Sequence, residues 1–398
     1  MQYHEMTRRI TRVARPRRRS AHATRAALLL ATVGLAACAD ESPVEPKAKL
    51  PEGGVPSIAL AINILPAGQT FPDKVAYVTG SPPGALAFVQ VYDKWGNMMA
   101  RFQAFNDPWD QNGPGADVAV GDVNADGYLD ILAGEGSVPG STYGSRFGVW
   151  DGKTGVYIGG FALGTNFKGG IRVGAGDIDN DGQDEIFTCF GPGDQPSRMD
   201  VFRYNAWVPN IGYVKSSTTL GLLTGTNTYA GCRVVGGDVT GDGKDESVVI
   251  FDGANSTLLV YDHSHSSILR KKPFGSTYTG NLSLGVGDRN GDGKAEVFLG
   301  RLSSDDKLPP VKMFDGQALM NDYYLPTPTT MYPLNTGGYT GVWVGARDIN
   351  GDGKPELMVK PRSTYGTSSY KALMGPDFIV PWLNRTEPSN IPAGGPIG

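Results

Sequence analysis

The sequence predicts an all-β six-bladed β-propeller on three observations. An Asp-rich pattern of ten residues recurs five times, at intervals of 50 to 61 residues, and a short apolar run of β character follows each copy. No stretch of the chain body shows a sustained 3.6-residue apolar period. Repeats of this length mark propellers, solenoids or arrays. The five copies are GDVNADGYLD, GDIDNDGQDE, GDVTGDGKDE, GDRNGDGKAE and RDINGDGKPE, with their first loop Asp at 122, 177, 238, 288 and 348.

Each unit reads as four short strands, which is the composition of a propeller blade. In the first unit DVAVGD enters the loop, LDILAG leaves it, and RFGVWDG and VYIGGFA follow. IRVGAGD, EIFTCF, MDVFRY and IGYVK make the second unit, and CRVVGGD, ESVVIFD, TLLVYDH and ILRKKPF the third. VKMFDG and YKALMG are the third strands of the last two. Upstream, SIALAIN, KVAYVTG, FVQVYD and MARFQAF repeat the order without an Asp loop, giving a degenerate first blade. A seven-bladed alternative requires a long loop that hides strands.

The loops carry oxygen donors at positions 1, 3 and 5, a glycine at 6 and an acid at 9. The first offers Asp122, Asn124, Asp126 and Asp130, with the carbonyl of Tyr128 at position 7. The second offers Asp177, Asp179, Asp181, Gln183 and Glu185; the third Asp238, Thr240, Asp242, Lys244 and Glu246. The fourth offers Asp288, Asn290, Asp292, Lys294 and Glu296; the fifth Asp348, Asn350, Asp352, Lys354 and Glu356. Side-chain type varies freely at position 7, as expected where only a backbone carbonyl coordinates. Several hard, flexible oxygens suit calcium better than the rigid octahedron of magnesium, so about five calcium sites are predicted, one for each copy of the loop. An EF-hand is excluded: it needs a glutamate at position 12, where Ala133, Thr188, Val249, Leu299 and Val359 stand. By donor count the second loop is expected to bind tightest and the third, with Thr240, weakest.

The loop core resembles the FG-GAP/VCBS repeat family, which includes the propeller of integrin α-subunits. The flanking Phe-Gly and Gly-Ala-Pro elements are poorly kept, Phe190-Gly191-Pro192 being the nearest relic. The resemblance implies a propeller whose calcium loops join the first two strands of each blade on one face, with partners docking on the opposite face.

Residues 1–37 read as an export signal: eight arginines, then an apolar stretch from Ala26 to Ala37 too short to span a bilayer. Leu35-Ala36-Ala37-Cys38 is similar to the lipobox of bacterial lipoproteins, which implies lipidation at Cys38 and a membrane anchor at the cell surface or in the periplasm. Residues 38–56 are a polar, Pro-rich tether, 57–383 the propeller and 384–398 a disordered tail. Loss of the signal leaves 28 Lys and Arg against 39 Asp and Glu, 16 of them in the loops. So acidic a surface is a poor nucleic-acid binder. Cys189 and Cys232 are left either to bridge or to remain buried thiols, and the strand-like setting of Cys189 favours thiols.

Only His263 and His265 survive export, in VYDHSHSS, where a solvated turn is the simpler reading than a metal pair. Asp194, Asp305 and Asp306 lack the spacing of a catalytic acid pair. Phe167, Tyr229, Tyr278 and Tyr339 recur nine or ten residues before a loop, as inter-blade packing would require; Trp109 sits loosely at the equivalent place in the first copy. Tyr143, Tyr332 and Tyr365 lie in connections that do not repeat and are the candidate ligand-binding residues. These features predict a surface binding or adhesion module for a glycan or protein. The alternatives are a polysaccharide-acting hydrolase or lyase, with its site in the channel mouth, and a structural envelope scaffold.

Overall fold

The first half of every Asp unit is one antiparallel strand pair in one register. The computed structural model describes residues 63–398 apart from 107–112, 140–143, 163–166, 206–212, 221–228, 254–255, 303–308, 322–323, 335–339, 363–368, 375–379 and 387–396. The chain divides into Met1–Gly54, which lies outside the described residues, and a unit over Val55–Gly398. The signal, the lipobox and Cys38 therefore fall outside what the structure describes.

The unit opens with a three-stranded antiparallel sheet, β1 (Tyr77–Gly80), β2 (Phe88–Tyr92) and β3 (Met98–Gln103). Five four-stranded antiparallel blades follow. Blade I is β4 (Ala116–Gly121), β5 (Asp130–Glu135), β6 (Arg146–Trp150) and β7 (Tyr157–Ala162). Blade II is β8 (Ile171–Gly176), β9 (Glu185–Phe190), β10 (Met199–Tyr204) and β11 (Tyr213–Leu220). Blade III is β12 (Cys232–Gly237), β13 (Glu246–Phe251), β14 (Thr257–Tyr261) and β15 (Ser267–Lys271). Blade IV is β16 (Leu282–Gly287), β17 (Glu296–Arg301), β18 (Val311–Phe314) and β19 (Thr329–Met331). Blade V is β20 (Gly341–Arg347), β21 (Glu356–Arg362), β22 (Ser369–Met374) and β23 (Val380–Thr386). The architecture is an all-β propeller, as the repeat predicts.

Burial explains the strand sequences. The second strands β5, β9 and β13 are buried at every residue, because neighbouring blades cover both faces, and after the position 9 acid they read as mainly apolar runs. The outer strand β15 buries only Leu269 and exposes Arg270, charge that discourages edge-to-edge pairing. A short helix, α1 (Gly316–Asn321), interrupts blade IV and has no counterpart in the predicted all-β pattern. Asp315 caps it, its Oδ1 accepting the Ala318 N–H at 2.8 Å, while Leu319 is fully buried.

Apolar clusters join successive sheets. Val248, Ile250 and Leu258 of blade III meet Leu284, Val297 and Leu299 of blade IV. Phe298 and Val311 of blade IV meet Val342 and Leu357 of blade V. The three-stranded sheet is packed on both sides: Val89 and Val91 lie with Val118 and Ile131 of blade I, and Tyr77 and Tyr92 with Trp343 and Met358 of blade V.

The tail expected to be disordered from residue 384 is ordered at its far end. Ile397 is buried and bridges antiparallel to Thr79 of β1. The Val78 N–H donates to the Gly398 carbonyl at 2.9 Å, and the Gly398 N–H to the Val78 carbonyl at 3.0 Å. Ile397 thus stands inside β1, the place the other sheets give to their first strand. Gly398 is required by close approach, since a Cβ there would lie 2.3 Å from the Val118 carbonyl oxygen of β4. SIALAIN, the expected first strand, lies outside the described residues except for Asn63.

Cys189 of β9 and Cys232 of β12 form a disulfide between blades II and III, their Cα atoms 5.4 Å apart. Burial in a strand was the wrong reason to expect thiols: a first strand and its neighbour's second strand face each other at bonding distance. The bridge closes a separation of 43 residues, which the chain-entropy model values at roughly 2–4 kcal/mol. Reduction is expected to lower the melting temperature by several degrees, and an equal melt with and without dithiothreitol would show that the bridge adds nothing.

Candidate functional site

In all five blades the residue before the loop pairs with the acid at position 9: Gly121 with Asp130, Gly176 with Glu185, Gly237 with Glu246, Gly287 with Glu296 and Arg347 with Glu356. The loop between them folds on its first aspartate. The Asp122 carboxylate accepts the Asp126 N–H at 3.0 Å and the Gly127 N–H at 2.8 Å. Asp177, Asp238 and Asp348 do the same with the residues at positions 5 and 6, and Asp288 with Gly293. Gly at position 6 has φ of 80 to 85° in every copy, the left-handed region that glycine enters without steric cost. Position 4 adopts the same region with Ala125 and Asn180, at φ of 58° and 60°, a requirement the sequence pattern did not reveal.

The acid at position 9 is buried in each copy. Its carboxylate accepts the N–H of position 2, at 2.8 to 3.1 Å for Val123, Ile178, Val239, Arg289 and Ile349. Burial pushes Asp130 up to about 8 and Glu185, Glu246, Glu296 and Glu356 up to about 7, with the other loop carboxylates adding to the rise. Oxygen atoms of Asp177, Asp179 and Asp181 lie within 4.8 Å of one another, as do those of Asp238, Asp242 and Glu246. Clustered hard oxygens beside a buried carboxylate fit a divalent cation.

The second loop differs. Arg203, at the end of β10, pairs with Asp179 at 2.6 Å, with Asp181, and with Glu185 at 3.4 Å. The strand register places Arg203 where blades I, III and IV carry Asp151, Asp262 and Asp315. A guanidinium therefore sits among the acids of the loop with the most acids.

The loops are also bonded to each other. The Asp184 carboxylate accepts the Asp122 N–H at 2.8 Å, and the Asp184 N–H donates to the Asp122 carbonyl at 2.9 Å. Asp245 repeats both bonds with Asp177. Neither residue was singled out from sequence, although acids stand at position 8 in only these two copies.

The first strands of the five blades, with Ile397 and Gly398, enclose a central cavity of about 310 Å³. Most of its wall is small or apolar. At the loop end Arg347 replaces the glycine of the other copies and lies in the field of Asp184 and Asp245, while burial opposes its charge. Five residues before each loop a second register departs from the repeat across the copies: Asp117, Arg172, Arg233, Ser283 and Trp343. Arg233 of blade III bonds Asp117 of blade I across the cavity at 2.8 Å and lies over the Trp343 ring of blade V at 4.6 Å. Arg172 bonds the buried Asp252 at 2.5 Å.

Among the aromatics, Phe167 and Tyr278 are buried as inter-blade packing requires, Phe167 stacked on Phe190 at 3.9 Å between ring centroids. Tyr229 does not follow them and is exposed. Tyr332 is 57% exposed, as a ligand contact must be. Tyr143, Tyr339, Tyr365, Trp109, Asp305 and Asp306 lie outside the described residues. His263 and His265 sit in a turn organised by Asp262, whose Oδ1 accepts the N–H groups of Ser264 and Ser266.

No protein-family model matches the chain, and no curated protein sequence matches it. Among solved structures it is similar to AofleA from Arthrobotrys oligospora, at 12% identity and a TM-score of 0.46, over 82% of this chain and 90% of that one. It is also similar to the SapL1 lectin in complex with alpha methyl fucoside, at 13% identity and a TM-score of 0.40, over 81% and 98%. A third is the V. cholerae biofilm matrix protein Bap1, at 12% and 0.30, over 81% of each. These likenesses assign no ligand to this chain.

Proposed function

We propose that this chain is an exported, lipid-anchored propeller of the FG-GAP/VCBS kind that works as a binding module for a glycan or protein ligand. The observation that carries the reading is a division of labour between positions. Those that repeat are occupied with structure: the loop acids fold their own loops, and Phe167 and Tyr278 pack between blades. The cavity register five residues before the loops, which varies from blade to blade, holds solvent-reachable Asp117 and Arg233, with side chains 16% and 13% exposed. Tyr332 adds an exposed aromatic in a connection that does not repeat.

The same proposal gives the propeller six blades, the sixth being the three-stranded sheet completed by Ile397 inside β1. It places calcium in the first, third, fourth and fifth loops, where the donor set is oxygen-rich and the position 9 acid is buried. Calcium would supply the positive charge those carboxylates lack. In the second loop Arg203 takes that part, which reverses the ranking expected from donor count. Arg203→Ala is therefore expected to add one bound ion per chain in equilibrium dialysis with calcium. Unchanged stoichiometry would return the second loop to the metal-binding set.

The test of function is a glycan and matrix-protein screen of the exported chain, with calcium and then with chelator. Capture without turnover supports the module. Product release from a polysaccharide would replace it with the hydrolase or lyase reading, and silence with the scaffold.

A further inference from the structure

The non-repeating register of the cavity has a chemistry of its own. Arg233 gives Nη1 to Asp117, and its buried Nε has no hydrogen-bond partner. The Trp343 ring lies against the guanidinium at 4.6 Å, a cation–π contact. Arg172 stands close enough for its charge to oppose that of Arg233, and Arg172 is itself fixed by Asp252 and by the Cys232 carbonyl, which its Nη1 reaches at 2.9 Å. The pair is held together against its own repulsion and against burial, which lowers Arg233 to about 10. Asp117 is the counter-ion that comes from the cavity wall, two blades away from Arg233 in the chain.

We propose that this register is a carboxylate site: a ligand carboxylate pairs with the Arg233 guanidinium beside Arg172, in place of Asp117. A planar two-oxygen anion matches the guanidinium fork bidentately. The cavity volume of about 310 Å³ is at the lower end of small-molecule sites, which suits one sugar ring and not a folded partner. Resting on the glycan form of the binding reading, the ligand class is a uronic acid, free or terminal on a glycan. Asp117 then has two duties: it neutralises Arg233 in the empty site and competes with the ligand in the filled one.

That double duty makes the proposal testable against a merely structural ion pair. The full exported chain is titrated calorimetrically, in calcium and at low ionic strength, with glucuronate, glucose and acetate. Glucuronate is expected to bind and glucose to bind at least tenfold more weakly. Arg233→Met should weaken glucuronate by about tenfold or more, the worth of a charge-assisted bidentate contact, and Arg233→Lys should restore little of it. Asp117→Asn should tighten glucuronate severalfold, because it removes a competing carboxylate. A purely structural Asp117 predicts the opposite, a lower melting temperature and weaker or unchanged binding, and that result overturns the proposal even where Arg233→Met fails to fold. Equal binding of glucose and glucuronate, unaffected at Arg233, overturns the carboxylate site and leaves the glycan reading standing. Acetate binding as tightly as glucuronate upholds the anion site and overturns the sugar class.

Discussion

Addition of 10 mM calcium to the chelated protein at pH 8 is expected to raise its melting temperature by on the order of 10 °C. For extracellular-type affinities of about 0.1–1 mM, each filled site contributes roughly 1.4–2.7 kcal/mol at that concentration, provided the ion binds only the native state. Four such sites then add several kcal/mol, and a domain of this size shifts by about 2 °C for each. The sign with pH follows from the buried acids. Asp130 is raised to about 8, and Glu246, Glu296 and Glu356 to about 7, above their values in an unfolded chain. Such groups stabilise the fold when protonated, and the contribution is lost as pH rises through 7 and 8. The chelated protein should therefore melt lower at pH 8.5 than at pH 6. Calcium should flatten that dependence, since it charges the same oxygens favourably. A melt in chelator that does not fall with pH, and does not rise with calcium, would remove the cation from the loops.

Ile397→Asp is expected to lower the melting temperature by about 5 °C or more. Ile397 is buried in one cluster with Tyr77, Tyr92, Trp343 and Met358, so the substitution places a carboxylate where the three-stranded sheet meets blade V. An unpaired charge at such a site costs several kcal/mol or unfolds its surroundings. Hydrogen exchange should locate the damage: the Val78 amide, which donates to the Gly398 carbonyl at 2.9 Å, should lose its protection. Protected Val78 and an unchanged melt would mean that Ile397 is not part of the closure.

The strand content of the five blades was legible because a buried second strand, such as ESVVIF or EIFTCF, must be apolar on both faces. The loops were legible because glycine at position 6 and alternating short acids are local requirements, each met within ten residues. What sequence did not reveal depends on partners far away in the chain. Arg203 reads as an ordinary strand-end cation until register sets it among Asp179, Asp181 and Glu185. Cys189 and Cys232 could not be paired without knowing that neighbouring blades face each other there. Asp117, Arg172 and Arg233 lie in apolar strands where one polar residue attracts no notice. Lining up the five copies five residues before the loop would have shown that the chemistry of this position changes from copy to copy. Tyr229 shows the opposite error, because a recurring position need not be buried in every copy.

The bridge between Thr79 and Ile397 joins residues 318 positions apart. Contacts of such separation form late, since the chain must lose the most freedom before gaining them. Until Ile397 is in place, the buried cluster that holds Tyr77 and Trp343 lacks one of its members.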